Sequence, residues 1–262
     1  MSPMTDRALS FDAVAGQYDA ARPGCPPVLF DAVEELPGRP LRGSLDVGAG
    51  TGIATRLPRA RGADVTAVEP GPGMAEQLRR TLPDTPLVRG FGDALPIADA
   101  SVDLVTYAQS WHWTDPARSI PEALRVLRPG GALALWWNVS DPAVPRVAAQ
   151  ERRLRRSPAR QPTAHSPGGR HREGLSDALA PVRRELRWTR TVPLDTHLAS
   201  LGGHSLFRVL GDDATAAHLA EERTELLKVF PAGSVEEAYV VELTVTVRPS
   251  VSSAVRGPLS RA

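Results

Sequence analysis

Lysine and cysteine are almost missing from this 262-residue chain, where Lys228 and Cys25 are single copies. One cysteine permits no disulfide within the chain, so a reducing cytoplasm is the expected setting. Arginine supplies the other cations. With abundant Ala, Gly and Pro, that choice reads as codon bias toward GC, as in a high-GC bacterium. An excess of either charge is also lacking. Lys and Arg total 31 against 30 Asp and Glu, which removes the basic surplus that a dedicated nucleic-acid binder carries. No apolar run approaches the ~20 residues of a membrane span, and the first residues hold no apolar signal core. A soluble intracellular protein without a membrane partner is expected. His165 and His171 lack a cysteine partner and metal-ligand spacing, so no metal is expected either.

What is present is concentrated in Leu45-Asp46-Val47-Gly48-Ala49-Gly50-Thr51-Gly52. An apolar run ends in an acid, three glycines follow at alternate positions, and a helix-like segment begins at Ile53. A strand that turns through such a loop into a helix points bare N–H groups at whatever sits above the strand end. The dinucleotide fingerprint requires Gly-x-Gly-x-x-Gly, but position 53 is isoleucine and the third glycine arrives one residue early. That spacing favours a nucleoside ligand with no pyrophosphate to cradle. About twenty residues on, Ala63-Asp64-Val65-Thr66-Ala67-Val68-Glu69 reads as a second strand closed by a carboxylate, placed as a ribose-diol acceptor is in a βαβ unit.

These residues resemble the class I S-adenosylmethionine-dependent methyltransferases, in particular the small-molecule methyltransferase-11 type. Asp46 to Gly52 matches the first motif of that family, Glu69-Pro70 with Met74 the second, and Gly92-Asp93-Ala94-Leu95-Pro96 the third. Ala108-Gln109-Ser110-Trp111-His112-Trp113 and Leu127-Arg128-Pro129-Gly130-Gly131 match the fourth and fifth. The resemblance implies an α/β, Rossmann-like, doubly wound sheet of seven strands. Its first five strands are parallel, its order is 3-2-1-4-5-7-6, and its seventh strand is antiparallel.

The apolar pattern places strands at 44–48, 64–69, 86–90, 102–108, 131–138, 184–192 and 239–247. Helices are expected over 6–21, 28–36, from Asp115-Pro116 to Arg128, over 143–156, and most strongly over 213–229. One methyltransferase domain over 1–262 is the expected organisation. Cover helices occupy 1–40, the cofactor core 41–140, a basic lid segment 141–182, and the last strands and helices 183–248. A disordered tail fills 249–262. The arginines between Arg146 and Arg172 suit an acidic substrate, RNA phosphates, or a solvated helix face leading to a mobile loop over 157–172. No aromatic residues interleave them, so the solvated face is preferred.

Methyl transfer from a sulfonium is a direct displacement, so the protein mainly binds, aligns and excludes water. Gly48, Gly50 and Gly52 let backbone approach the cofactor, and Asp46 holds its ammonium, directly or through water. By resemblance Glu69 takes the ribose hydroxyls, Asp93 the adenine amine, and the Ala94 N–H a ring nitrogen. Met74 packs on adenine or simply joins the core. Gln109 is assigned to the cofactor site. Trp111 and Trp113 wall the pocket, cover the adenine, or meet the sulfonium by cation–π contact. His112 is either a general base or, preferred, a group that orders its loop. Tyr18 and Arg22 belong to a Tyr-Asp-x-x-Arg-Pro stretch that covers the cofactor in similar enzymes, and Arg22 is placed to meet a carboxylate. Asp103 is expected to serve its own strand, and Cys25 to be a small buried residue rather than a nucleophile.

The expected activity is S-adenosylmethionine-dependent methylation of a small molecule, with carboxylic acids and secondary metabolites as acceptor classes. RNA methylation and a non-catalytic binding protein on the same fold are the competing readings.

Overall fold

A computed structural model describes residues 22–38, 40–155, 175, 179–202 and 211–250. The expected 6–21 helix, Tyr18, the 157–172 loop and the tail beyond 250 lie outside the described residues. Seven strands form one sheet: β1 (Gly43–Val47), β2 (Asp64–Val68), β3 (Leu87–Val88), β4 (Val102–Ala108), β5 (Leu127–Ser140), β6 (Val182–Pro193) and β7 (Ser234–Val247). Their order is β3-β2-β1-β4-β5-β7-β6. Strands β1 to β5 pair in parallel, and β7 runs antiparallel between β5 and β6. Fold class and strand order are as the resemblance implies.

The helices are α1 (Val28–Glu35), α2 (Arg56–Ala60), α3 (Pro72–Thr81), α4 (Pro116–Val126), α5 (Pro145–Arg155), α6 (Leu194–Gly202) and α7 (Asp212–Val229). Alternation along the strands sorts side chains to two faces. Leu45, Val47, Val105, Tyr107, Leu133, Leu135 and Trp137 bury one face, with Ala123 and Val126 of α4. Leu104, Ala134, Trp136, Val241 and Leu243 bury the other, with Leu29, Phe30 and Val33 of α1. Asp115 starts α4 as expected. It accepts a hydrogen bond from the Ala117 N–H at 3.0 Å, and Pro116 occupies the first turn.

Strand limits depart from the sequence pattern where pairing, rather than hydrophobicity, sets them. β3 keeps only two residues. β5 begins at Leu127, not Gly131, because Leu127 pairs with Val102 before a register shift, and Gly130 N–H donates to Arg248 O at 2.9 Å. β6 and β7 are longer than expected because they pair with one another over their full common length. Asp103 does more than serve its own strand. Its Oδ2 accepts the first β1 amide, Gly43 N–H, at 3.0 Å and pairs with Arg128 at 3.2 Å.

The basic segment is corrected in its described part. Arg146 pairs with Glu236 at 2.6 Å, and Arg153 holds Glu222 through two bonds at 2.6 and 2.8 Å. Two arginines of the expected solvated face therefore tie α5 to β7 and α7. Among the described residues, no helix is long and apolar enough to cross a membrane.

Candidate active site

A cavity of about 250 Å³ opens over the carboxyl ends of β1, β2 and β4, where open parallel sheets take ligands. The glycine loop makes its floor. Gly48 has φ +68° and a Cβ there would lie 2.5 Å from Ser110 Cβ, so only glycine lets β1 turn beside the β4 loop. At Gly50 a Cβ would meet nothing within 4 Å, which leaves that backbone bare toward the cavity. Gly52 does something else. Its Cβ would lie 2.8 Å from Leu82 and 3.2 Å from Leu78, and it does not line the cavity, so it packs the loop on α3.

Glu69 lies one residue past β2, is 6% exposed and lines the cavity. One carboxylate oxygen accepts Gly50 N–H and the other Gly71 N–H, both at 2.7 Å. The acid thus braces two loops while still facing the cavity. Met74 is buried on α3 and lines the cavity too, so its two readings are compatible. Asp93 reaches the cavity with Oδ1 already accepting Asp115 N–H at 2.9 Å and Ser119 Oγ at 2.5 Å. Among the described residues no donor reaches its Oδ2.

Besides Gly52, three expected placements need correction. Asp46 is buried at 1% exposure and is not part of the cavity wall. Its Oδ2 accepts Thr55 Oγ1 at 2.7 Å and its Oδ1 accepts Thr106 Oγ1 at 2.8 Å. Burial raises its pKa, against the pull of those two hydroxyls. Ala94 is exposed, and its N–H donates to Phe91 O at 3.2 Å, so that amide is already taken by a turn. Trp111 is core rather than wall. It is 2% exposed and meets Tyr107 edge-on with ring centroids 4.8 Å apart, because the short 3-10 turn Trp111–Trp113 points its first indole under the sheet end.

Trp113 and His112 do line the cavity, with ring centroids 4.3 Å apart and His112 exposed. Arg22, Pro23 and Cys25 form another side. Burial pushes the Cys25 thiol up to about 11, the neighbouring Trp136 pulls it slightly down, and Asp46 adds a small upward push. A thiol so placed is not a nucleophile at neutral pH. Burial likewise raises Tyr107, helped by the charges of Asp93 and Glu122, so its hydroxyl remains protonated and donates to Gly92 O at 3.3 Å.

Several site residues escape a reading of motifs. Thr106 sits opposite Asp46 only through the β1–β4 register. Phe91 and Trp136 also line the cavity, as does Ser110 of the fourth motif, whose Oγ donates to Val47 O at 2.5 Å. Gln109 was expected at the site, but not its backbone. It holds φ +56°, uncommon outside glycine, and its N–H donates to Trp136 O at 2.8 Å. That turn delivers the Gln109 side chain to the cavity at the end of β4.

The family model for a methyltransferase domain matches residues 45–135, which hold the glycine loop, Glu69, Asp93 and the β4 loop. The solved structure of a candidate type II methyltransferase from Anaeromyxobacter dehalogenans superposes with a TM-score of 0.70 at 24% identity, covering 87% of this chain and 99% of that one. Residues 45–135 are thus similar to a methyltransferase domain, and the chain shares the fold of that solved structure. A methyltransferase of Mycobacterium tuberculosis, described as uncharacterized, is 48% identical over 136 residues, 52% of this chain and 55% of that protein. Malonyl-[acyl-carrier protein] O-methyltransferase of Enterobacter lignolyticus is 31% identical over 168 residues, 63% of this chain and 64% of that protein. The chain spans about half the length of the curated relatives that head the comparison. The matched residues 45–135 carry the cavity floor. Arg22, Pro23, Cys25 and Trp136, which also line it, lie outside the matched residues.

Proposed function

We propose that the protein transfers a methyl group from S-adenosylmethionine to a small molecule, with a carboxylic acid or a secondary metabolite as acceptor. The observation that carries this is a single cavity that joins the Gly50 backbone, the Glu69 carboxylate and the Asp93 oxygen that no donor among the described residues reaches. Those groups fit the cofactor's parts. Glu69 lines the cavity with a carboxylate whose oxygens accept Gly50 N–H and Gly71 N–H, and a carboxylate is the acceptor type that a ribose diol takes. Asp93 Oδ2 suits an exocyclic amine, and Met74 and Phe91 offer apolar surface for a base.

When bound, S-adenosylmethionine supplies an activated methyl group on a cationic sulfur. The chain's own part is to position and to exclude water. Gln109, Trp113, His112, Arg22 and Trp136 line the same cavity and would help to hold an acceptor. Arg22 adds a guanidinium to the cavity lining, which suits an anionic acceptor such as a carboxylate. A malonyl O-methyltransferase among the similar proteins is consistent with that class. His112 remains a candidate base for acceptors that must lose a proton. Asp46 acts in this reading through the Thr55 and Thr106 hydroxyls, holding the loop from beneath.

Titration calorimetry with S-adenosylmethionine tests the proposal. The wild type is expected to bind at micromolar strength, and Asp93→Ala to weaken binding at least ten-fold by losing an amine acceptor, roughly 1.5 kcal/mol or more for a charged hydrogen bond. Wild-type protein that takes up no cofactor, or an alanine variant that binds as well as wild type, overturns it.

A further inference from the structure

The strap from Arg22 to Pro27 has neither helix nor strand, yet three of its residues form one side of the cavity. Prolines at 23, 26 and 27 stiffen it and remove three backbone donors. Its far end is secured. Leu29 and Phe30 of α1 donate to Pro26 O and Pro27 O at 3.0 and 3.1 Å, and Arg61 donates to Pro27 O at 3.0 Å. Nearer the cavity the hold comes from β5, where Asn138 Nδ2 donates to Gly24 O at 3.3 Å.

Asn138 is 7% exposed, and its other amide atom is also used. Oδ1 accepts the Trp188 indole N–H at 2.9 Å. An indole nitrogen only donates, so that bond determines which way the amide faces and leaves Nδ2 toward Gly24. Trp188 in turn stacks on Tyr239 at 5.2 Å, and the Tyr239 hydroxyl donates to Glu237 at 2.8 Å. Glu237 is buried and also bonded by Arg190 and His197. One amide therefore connects the strap over the cavity to a heavily bonded polar cluster of β6, β7 and α6.

We propose that Asn138 is a positioning residue that latches the strap, and that its bond to Gly24 sets how fast the cavity opens and how long a ligand stays. The choice of ligand rests on the proposed function, but the latch does not. Cys25 makes it measurable. It is the only cysteine, lies next to Gly24 in the strap, and is half-buried with its thiol raised to about 11. The exposed thiolate attacks an aromatic disulfide reagent, forming a mixed disulfide and releasing the aromatic thiolate, so the rate of that release reports the open strap.

Asn138→Asp keeps an acceptor for Trp188 but loses the donor to Gly24 and sets a carboxylate against a carbonyl. Cys25 modification is expected to speed up about five-fold or more, the equivalent of one neutral hydrogen bond. Dissociation of S-adenosylhomocysteine, followed by stopped flow, should accelerate by a similar factor. Trp188→Phe keeps the stack on Tyr239, frees the amide to turn, and should accelerate both in the same direction by less. Wild-type modification rates in both variants, with unchanged circular dichroism, overturn the latch. Faster Cys25 modification in a protein that binds no S-adenosylhomocysteine supports the latch and counts against the cofactor reading alone. Faster modification with unchanged ligand dissociation overturns the claim that the strap governs residence.

Discussion

Glu69→Gln separates a ligand-facing acid from a structural brace, because the change shows before any ligand is added. In the native carboxylate each oxygen takes one backbone N–H at 2.7 Å, from Gly50 and from Gly71. A glutamine amide has one oxygen. Its NH₂ must face one of the two N–H groups, which then has no acceptor, and the surviving bond becomes neutral. Hydrogen bonds to a charged group contribute about 1.5–3 kcal/mol and neutral ones about 1. The side chain is 6% exposed, and water in the cavity relieves part of the loss, so a cost of about 2–3 kcal/mol is expected. At roughly 2–4 °C per kcal/mol for a chain of this size, the ligand-free protein should melt about 5–10 °C lower. Thermal unfolding followed by circular dichroism, with and without S-adenosylhomocysteine, is the assay. A melting point within about 1 °C of wild type in the ligand-free state refutes the brace, whatever happens to binding.

Two further substitutions divide the glycine loop. Gly52→Ala meets Leu82 and Leu78 at φ +88°, whereas Gly50→Ala meets nothing at φ +58°. Urea unfolding should show Gly52→Ala as the costlier change, by roughly 1–3 kcal/mol, and calorimetry should show Gly50→Ala as the worse binder of S-adenosylhomocysteine; the reverse order contradicts the assignment. The third prediction concerns acid. Burial alone would raise Glu237, but bonds from His197, Arg190 and Tyr239 outweigh it and leave its pKa below the ordinary 4.5. A carboxylate depressed on folding stabilises the protein above its unfolded pKa, and that contribution is lost as pH falls through the folded value. Stability should therefore decline below about pH 4.5, and Glu237→Gln should flatten this decline; an unchanged slope in urea titrations across pH 3–6 counts against it.

The parts legible in the sequence are those set by neighbours along the chain. Apolar runs between polar helical segments marked the central strands, which are buried on both faces, and alternating apolar residues marked the last two. The early glycine at 52 pointed away from dinucleotides, and Asp115-Pro116 marked a helix start that the structure keeps. Failures cluster where partners are remote. Arg146 and Arg153 read as a bare cationic face because Glu236 and Glu222 lie 90 and 69 residues downstream. Trp111 and Trp113 are two residues apart and alike in type, yet one fills the core and one the cavity wall.

By itself the sequence determined a parallel sheet, the loop that turns over its central strand, and the acids that follow the next two strands. Local chain geometry suffices for these, because glycine conformations and strand periods are properties of a few consecutive residues. Tertiary structure alone decided that Asp46 faces Thr106 rather than the cavity, because strand register puts them opposite one another. It also decided that a strap near residue 24 is held by an amide 114 positions away. Register and long-range hydrogen bonds depend on how whole elements pack, and no local pattern encodes them.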